Sequence, residues 1–257
     1  MKIGCCASFS EYDLIVEAGF DFIEIKGIEL MNMSADALYK TQKKLAQGSI
    51  PCPILNGNCN RKTPLLGPDY DRDSVRAYAR ELAQRMTLIG AKKIGVGAPF
   101  ARSIPEGYPF QIAYNQFLEA MRVTAYEFAQ RDIKVMLEPL SKPTCNFLCK
   151  TKEVVAFVQQ VEETGFSYLI DFYHAEREED DLDVLSSYLP DSSHIHLSGS
   201  DKTARTYLLS SDEQTYRKWA KLLRKADYHN TVSLEISHQH LLEGAVASEK
   251  WMRVLFS

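Results

Sequence analysis

Short apolar runs of strand-forming composition recur along the chain at KIGCC (2–6), DFIEI (21–25), PILN (53–56), KKIGV (92–96), IKVMLE (133–138), SYLID (167–171), SHIHL (193–197) and TVSLEI (231–236). There are eight of them, the number of strands in a (β/α)8 barrel. Helical patterns lie between. Val75, Tyr78, Ala79, Leu82, Met86 and Ile89 fall at three- and four-residue intervals, which predicts a helix over 75–89 with one apolar face. Phe110, Ala113, Tyr114, Phe117, Leu118, Met121, Ala125 and Phe128 predict another over 110–128 in the same way.

The joints repeat as well. EAGFDFIEI (17–25) and ETGFSYLID (163–171) each run from a helix end, through a glycine suited to the C′ position and an aromatic residue, into a strand. Alternation of this kind with short connections predicts parallel βα units, and hence a TIM barrel. An open doubly wound sheet would be expected to carry a Gly-rich phosphate loop after an early strand. The nearest match, GVGAPF (95–100), has Phe100 where the third glycine belongs, with prolines rather than a helix following.

Length and composition fit that architecture. The 257 residues match the roughly 250 of one such barrel, and no linker, low-complexity tract or charge block divides them, so 1–257 reads as a single domain. The net charge of −4, from 30 basic and 34 acidic residues interspersed, leaves no basic stripe or tail, so neither nucleic acid nor membrane is expected as a partner. A small-molecule ligand is, and a homo-oligomer is compatible with the pattern. The six cysteines are too irregularly spaced for a disulfide framework and include no Cys-x2-Cys pair, so they read as reduced thiols. MKIGCCASFS lacks the apolar core of a signal peptide, and no stretch approaches the ~20 apolar residues of a membrane span, which makes a cytoplasmic protein the expectation.

In a parallel barrel the active site lies where strands end. The fifth run ends in Glu138, with Pro139 stopping the ladder; the sixth ends in Asp171; the seventh carries His194 and His196; the eighth carries Glu235. Any one acid at a rim is more often a salt-bridge partner or a helix cap. Delivered together by consecutive late strands, they form a mixed oxygen and nitrogen set suited to Mn²⁺, Mg²⁺, Co²⁺ or Zn²⁺. His194 and His196 are two apart and face the same way, so His196, nearer the strand end, is the better ligand, and His194 reads as a hydrogen-bonded histidine inside the barrel. Asp171 and His174, in YLIDFYHAEREEDD (168–181), are three apart and would face opposite sides of a strand. They share a pocket only if the chain leaves the sheet between them, with Asp171 on the metal and His174 curling over the rim toward substrate. Glu24 on the second run reads equally as a pocket residue or as a partner in an internal hydrogen bond or ion pair.

The segments MLEPL (136–140), DFYH (171–174), HIHLSGSD (194–201) and VSLEI (232–236) resemble, in order, the late-strand motifs of the xylose isomerase-like TIM barrels, the sugar phosphate isomerase/epimerase group; AGFDFIEI (18–25) resembles that group's second strand. The resemblance implies that Glu138, Asp171, His196 and Glu235 bind one divalent metal, that Glu138 and Glu235 exchange protons with substrate, and that His174 contacts a substrate oxygen. Two departures stand out. The epimerases and hydroxypyruvate isomerases of the group usually follow the seventh-strand ligand with an Arg and a Pro-Gly-x-Gly stretch, whereas this chain reads HLSGSDKTARTYLLSSDEQ (196–214), leaving Lys202 or Arg205 to replace that arginine in binding substrate. The ketohexose epimerases also place a second glutamate after the fifth-strand one, where LSKPTC (140–145) has none, so a ketohexose is the less expected substrate.

A metal chelated by adjacent carbonyl and hydroxyl oxygens stabilises the enediolate formed when a neighbouring carbon loses its proton. Two carboxylates flanking that carbon give epimerisation, and one carboxylate shuttling between neighbouring carbons gives aldose–ketose isomerisation. The expected enzyme is therefore a metal-dependent isomerase or epimerase of a small sugar, sugar phosphate or polyol ketone. An inosose-type dehydratase would use the same start. The long loops 26–34, 57–73 and 97–111 read as substrate walls or lids, with Arg61, Lys62 and Arg102 either meeting an anionic group or simply solvated. The resemblance extends to the apurinic endonucleases, but residues 1–173 contain no histidine to build their additional metal sites, and the pI is near 5.9. A barrel that binds a sugar or polyol without turning it over is the reading from outside enzymology.

Overall fold

The computed structural model describes residues 1–59, 62–200, 204–208, 211 and 213–256. Among these residues, eight parallel strands form one barrel: Lys2–Cys6, Phe22–Lys26, Ile54–Asn56, Lys93–Val96, Lys134–Leu137, a sixth in two pieces (Phe166–Tyr168 and Ile170–Asp171), His194–Leu197 and Thr231–Leu234. Each pairs with its sequence neighbour, and strand one also pairs with strand eight. The ring closes through strand six. Its first piece sets Tyr168 opposite Leu137 of strand five, and its second sets Asp171 opposite His196 of strand seven.

Every predicted run overlaps a strand, and the differences lie at the ends. Glu138 and Glu235 fall just past strands five and eight, yet their N–H groups still donate into the ladder, to Val96 O at 3.2 Å and Leu197 O at 2.8 Å. Both side chains thus leave the barrel wall from a fixed backbone. The helices Arg72–Ile89 and Phe110–Ala129 contain the two predicted stretches and pack against each other. The first starts three residues early because Asp71 caps it, accepting from the Asp73 and Ser74 N–H groups.

Two local expectations need correction. Gly19, at φ 94°, does cap the helix Tyr12–Ala18, but in the second joint the helix Thr151–Val161 ends sooner and Glu162, at φ 57°, takes the left-handed position. A four-residue helix, Pro99–Arg102, follows strand four where the prolines argued against one. Pro99 sits at its first turn, where the missing N–H has no intrahelical partner to lose.

Alternation along the strands sorts the barrel interior into layers. Phe22, Ile54, Met136 and Leu169 form an apolar cluster of their own, apart from the main core between strands and helices. Two residues further along the same strands, on the same face, stand Glu24, Asn56, Glu138 and Asp171. An apolar plug therefore underlies a polar layer. All six cysteines are free thiols. Among the described residues no helix is long and apolar enough to cross a membrane.

Candidate active site

The polar layer converges on one point. Nδ1 of His196 lies 3.2 Å from Glu235 Oε2, 3.3 Å from Glu138 Oε1 and 3.9 Å from Asp171 Oδ2. One ligand atom from each of these four residues falls within 4.8 Å of all the others. Asp171 and His196 are fully buried and Glu138 nearly so. Three carboxylates this close repel one another in a medium that screens poorly, so the cluster requires compensating positive charge.

Part of that charge comes from Arg205. The chain after strand seven turns back as an antiparallel pair, Gly199–Ser200 with Arg205–Thr206. This carries the guanidinium to 2.5 Å from Asp171 Oδ2 and 3.1 Å from Glu235 Oε2, with the Tyr173 ring 4.6 Å beneath it. Among the described residues Nη1 of Arg205 has no hydrogen-bond partner. Lys202, the other residue predicted to bind substrate from this stretch, lies outside the described residues, as does Arg61.

The spacing of Asp171 and His174 has a helical origin. Asp171 ends strand six and caps the helix Phe172–Arg177, its Oδ1 accepting from the His174 N–H at 3.2 Å. One carboxylate oxygen thus fixes the helix start while the other faces Arg205 and the cluster. The Ser141 N–H donates to His174 Nδ1 at 3.1 Å, and Ser141 Oγ lies 2.9 Å from the same nitrogen. A backbone N–H can only donate, so Nδ1 is the unprotonated nitrogen and Nε2 carries the ring's proton. Burial holds the His174 pKa below its ordinary value, against the pull of Asp171, which keeps the ring neutral.

The carboxylates differ in their surroundings. Burial pushes Glu138 up to about 7, and the nearby Glu235 adds to this against the His196 hydrogen bond. Burial also acts on Glu235, but Arg205 and His196 outweigh it and hold that carboxyl well below the usual range. Asn56 Nδ2 donates to Glu235 Oε1 at 2.6 Å, whereas Glu235 Oε2 is buried and, among the described residues, makes no well-aligned hydrogen bond despite its two cationic neighbours. An oxygen left in that state, beside two more carboxylates and an imidazole nitrogen, fits a divalent cation.

These groups open onto a cavity of about 420 Å³ whose wall includes Asn56, Glu138, Tyr173, His174, Arg205 and Glu235. A larger hollow of about 600 Å³ lies outside the barrel, against the helices Arg72–Ile89 and Phe110–Ala129, and holds none of the clustered acids. Gly97 makes room for Glu138: a Cβ there would stand 2.6 Å from Oε2. Gly97→Ala should therefore displace the carboxylate and lower turnover at least tenfold, with a smaller effect on stability. Steady-state kinetics beside thermal unfolding would check this, and unchanged kinetics would mean that Glu138 is free to shift.

His194 is an internal residue, whereas Glu24, though buried, also lines a second cavity with Cys6, Asn56, Arg205 and Glu235. Nε2 of His194 lies 3.1 Å from Glu24 Oε2, and its Nδ1 lies 2.7 Å from Thr231 Oγ1. Arg102 is fully buried rather than solvated, and among the described residues neither it nor Lys62 lines the cavity.

The sequence matches the profile of the xylose isomerase-like TIM barrel over residues 12–255. The chain belongs to this family. No curated protein matches it. Among solved structures, it is similar to a D-psicose 3-epimerase determined in the presence of D-fructose, with 18% identity, 100% and 99% of the two chains covered, and a TM-score of 0.83. It is similar to the 3-keto-D-glucoside 4-epimerase of E. coli, with 17% identity, 99% and 98% covered, and a TM-score of 0.76. It is also similar to the IOLI protein with a bound zinc atom, with 13% identity, 99% and 96% covered, and a TM-score of 0.75. At these identities the likeness establishes the xylose isomerase-like fold. Asn56 and Ser141 were not singled out in the sequence. Asn56 ends the third apolar run and was open to the same strand-end reasoning, whereas nothing in the sequence signals that Ser141 would meet His174.

Proposed function

We propose that this xylose isomerase-like barrel is a divalent-metal-dependent isomerase or epimerase of a small sugar, sugar phosphate or polyol ketone. The observation that carries the reading is the convergence of Glu138, Asp171, His196 and Glu235 within 4.8 Å at the edge of a hexose-sized cavity. These four residues would hold the cation: Mn²⁺, Mg²⁺, Co²⁺ or Zn²⁺ by donor type. The cation supplies electrostatic stabilisation of the negative charge that develops when a carbon beside a carbonyl loses its proton.

The chain's own residues do the rest. Glu138 and Glu235 enter from strands five and eight and serve as the proton-transfer pair, one taking the substrate proton and the other returning one. His174 offers Nε2–H to a substrate oxygen, and Arg205 offers its Nη1, with Lys202 on the same stretch as a further substrate contact. Tyr173 and the loop residues around the cavity exclude water from the reacting carbon. The D-psicose 3-epimerase and 3-keto-D-glucoside 4-epimerase likenesses support a carbohydrate substrate. The IOLI protein's zinc supports a metal.

Metal binding should compete with protons. Glu138 is held at about 7, and His196, which burial alone would lower, is raised well above its ordinary value by Glu235 and Glu24. Both must be unprotonated to ligate, so affinity should rise with pH, and the Glu138 part of that rise should fall between about pH 6 and 8. Metal titrations at the two ends of that range would measure it, and a flat profile would remove Glu138 from the ligand set. The function itself is tested by incubating metal-loaded protein with ketoses, ketose phosphates and inososes and following products by NMR. A new diastereomer or isomer that disappears with chelator is the expected result. A product lacking the elements of water would assign the dehydratase instead, and saturable binding without conversion the non-catalytic barrel.

A further inference from the structure

Behind the His196 ring, away from the ligand cluster, lies an arrangement that the reaction does not use directly. Glu24, on strand two, is 1% exposed, and its two oxygens meet two different imidazoles: Oε1 lies 3.0 Å from His196 Nε2 and Oε2 lies 3.1 Å from His194 Nε2. Both histidine side chains are fully buried. Their rings stand 5.0 Å apart at 87°, so each turns its Nε2 edge to the carboxylate from a different direction. Thr231 Oγ1 holds the far nitrogen of His194 at 2.7 Å.

We infer that Glu24 is a positioning residue that fixes His196 in its metal-binding tautomer, with His194 and Thr231 completing the clamp. The inference rests on the metal-site reading given above. An ionised carboxylate only accepts hydrogen bonds, so both Nε2 atoms that face Glu24 carry protons. With Nε2 committed, His196 has Nδ1 as its ligand nitrogen, and Nδ1 is the atom that faces Glu138, Asp171 and Glu235. A carboxylate buried this deeply is costly unless each oxygen is paired, and here each has its own imidazole. An amide at position 24 offers one oxygen and one NH2, so it cannot accept from both rings. The two-residue spacing of His194 and His196 then has a reason: one ligates, and its neighbour one layer down holds the carboxylate that orients it.

Cys6 Sγ, a Glu24 oxygen and a His196 nitrogen also lie within 4.8 Å of one another, so a second cation bridged through His196 is the competing use of the same atoms. Zn²⁺ and Co²⁺ titrations of the full-length protein and its Glu24→Gln, Glu24→Asp and His196→Ala variants decide between them. Glu24→Gln should weaken binding by about 10- to 100-fold with stoichiometry unchanged at about one. In the Zn²⁺-loaded wild type, two slowly exchanging imidazole Nε2–H signals should be visible by ¹⁵N NMR, and Glu24→Gln should lose at least one. Glu24→Asp keeps the charge but is too short to span both rings. It should fold and bind more weakly than wild type, which decides the matter if the Gln variant does not fold.

Wild-type affinity in both Glu24 variants, with only the metal-free melting temperature lowered, would overturn the inference in favour of a structural ion pair. A fall from two equivalents to one in Glu24→Gln would overturn it in favour of the second cation. His196→Ala separates the levels: metal retained there means that the ligand assignment has failed, whatever Glu24 does.

Discussion

Glu235→Gln and Glu138→Gln should each slow exchange of a carbon-bound substrate hydrogen with solvent by about 10²–10⁴-fold, the usual worth of a positioned proton-transfer group. The two carboxylates reach the same imidazole nitrogen from strands five and eight, at 3.3 and 3.2 Å. On the proposed mechanism, a substrate in the cavity beside them would be addressed by two separate bases. Asn56 holds Oε1 of Glu235, leaving Oε2 turned to the cluster. Glutamine keeps the shape of glutamate but cannot take a proton. Exchange should be measured at saturating metal, with metal content checked in each variant, so that lost ligation is not mistaken for lost base. If one variant blocks exchange from only one epimer, that face of the reacting carbon is assigned to that residue. Wild-type exchange in both would remove the pair from proton transfer.

The second large effect separates ligand from substrate contact. His196→Ala should lose high-affinity metal and with it all turnover. His174→Ala should retain about one equivalent of metal and lose turnover, because Nδ1 of His174 is engaged by Ser141 and the proposed role of the ring is to hold substrate rather than metal. Metal analysis of protein purified without chelator should give about one equivalent per chain, the complement of one four-residue cluster. Three equivalents would point to the phosphodiesterase chemistry of the apurinic endonucleases. Loss of metal from His174→Ala would mean that Asp171 and His174 ligate jointly.

Much of this was legible in the sequence because a barrel couples position along a strand to position in space. Glu138, Asp171, His196 and Glu235 stand at or within a residue of the ends of strands five to eight, and parallel alternation alone brings strand ends to one rim. The two-residue spacing likewise separated His196 from His194. What escaped was set by tertiary contact. Ser141 meets His174 across 33 positions of chain, and the glutamate at 24 finds His196 across 172. Neither pairing leaves a periodic trace. Arg205 was one of two cations open to the same role, and only the backward turn after strand seven brings it onto Asp171. The early end of the helix Thr151–Val161 was hidden for a local reason: Glu162 adopts a left-handed conformation that the sequence assigned to glycine.

The most direct test of the central claim is deuterium wash-in. The protein, loaded with Mn²⁺ or Mg²⁺, would be incubated in D₂O with a panel of ketoses, ketose phosphates and inososes and followed by NMR and mass spectrometry. The account predicts metal-dependent incorporation of deuterium at a carbon beside a carbonyl in at least one compound, abolished by chelator. Saturable binding of a panel member without any exchange, or metal-dependent cleavage of a duplex containing an abasic site, would contradict it.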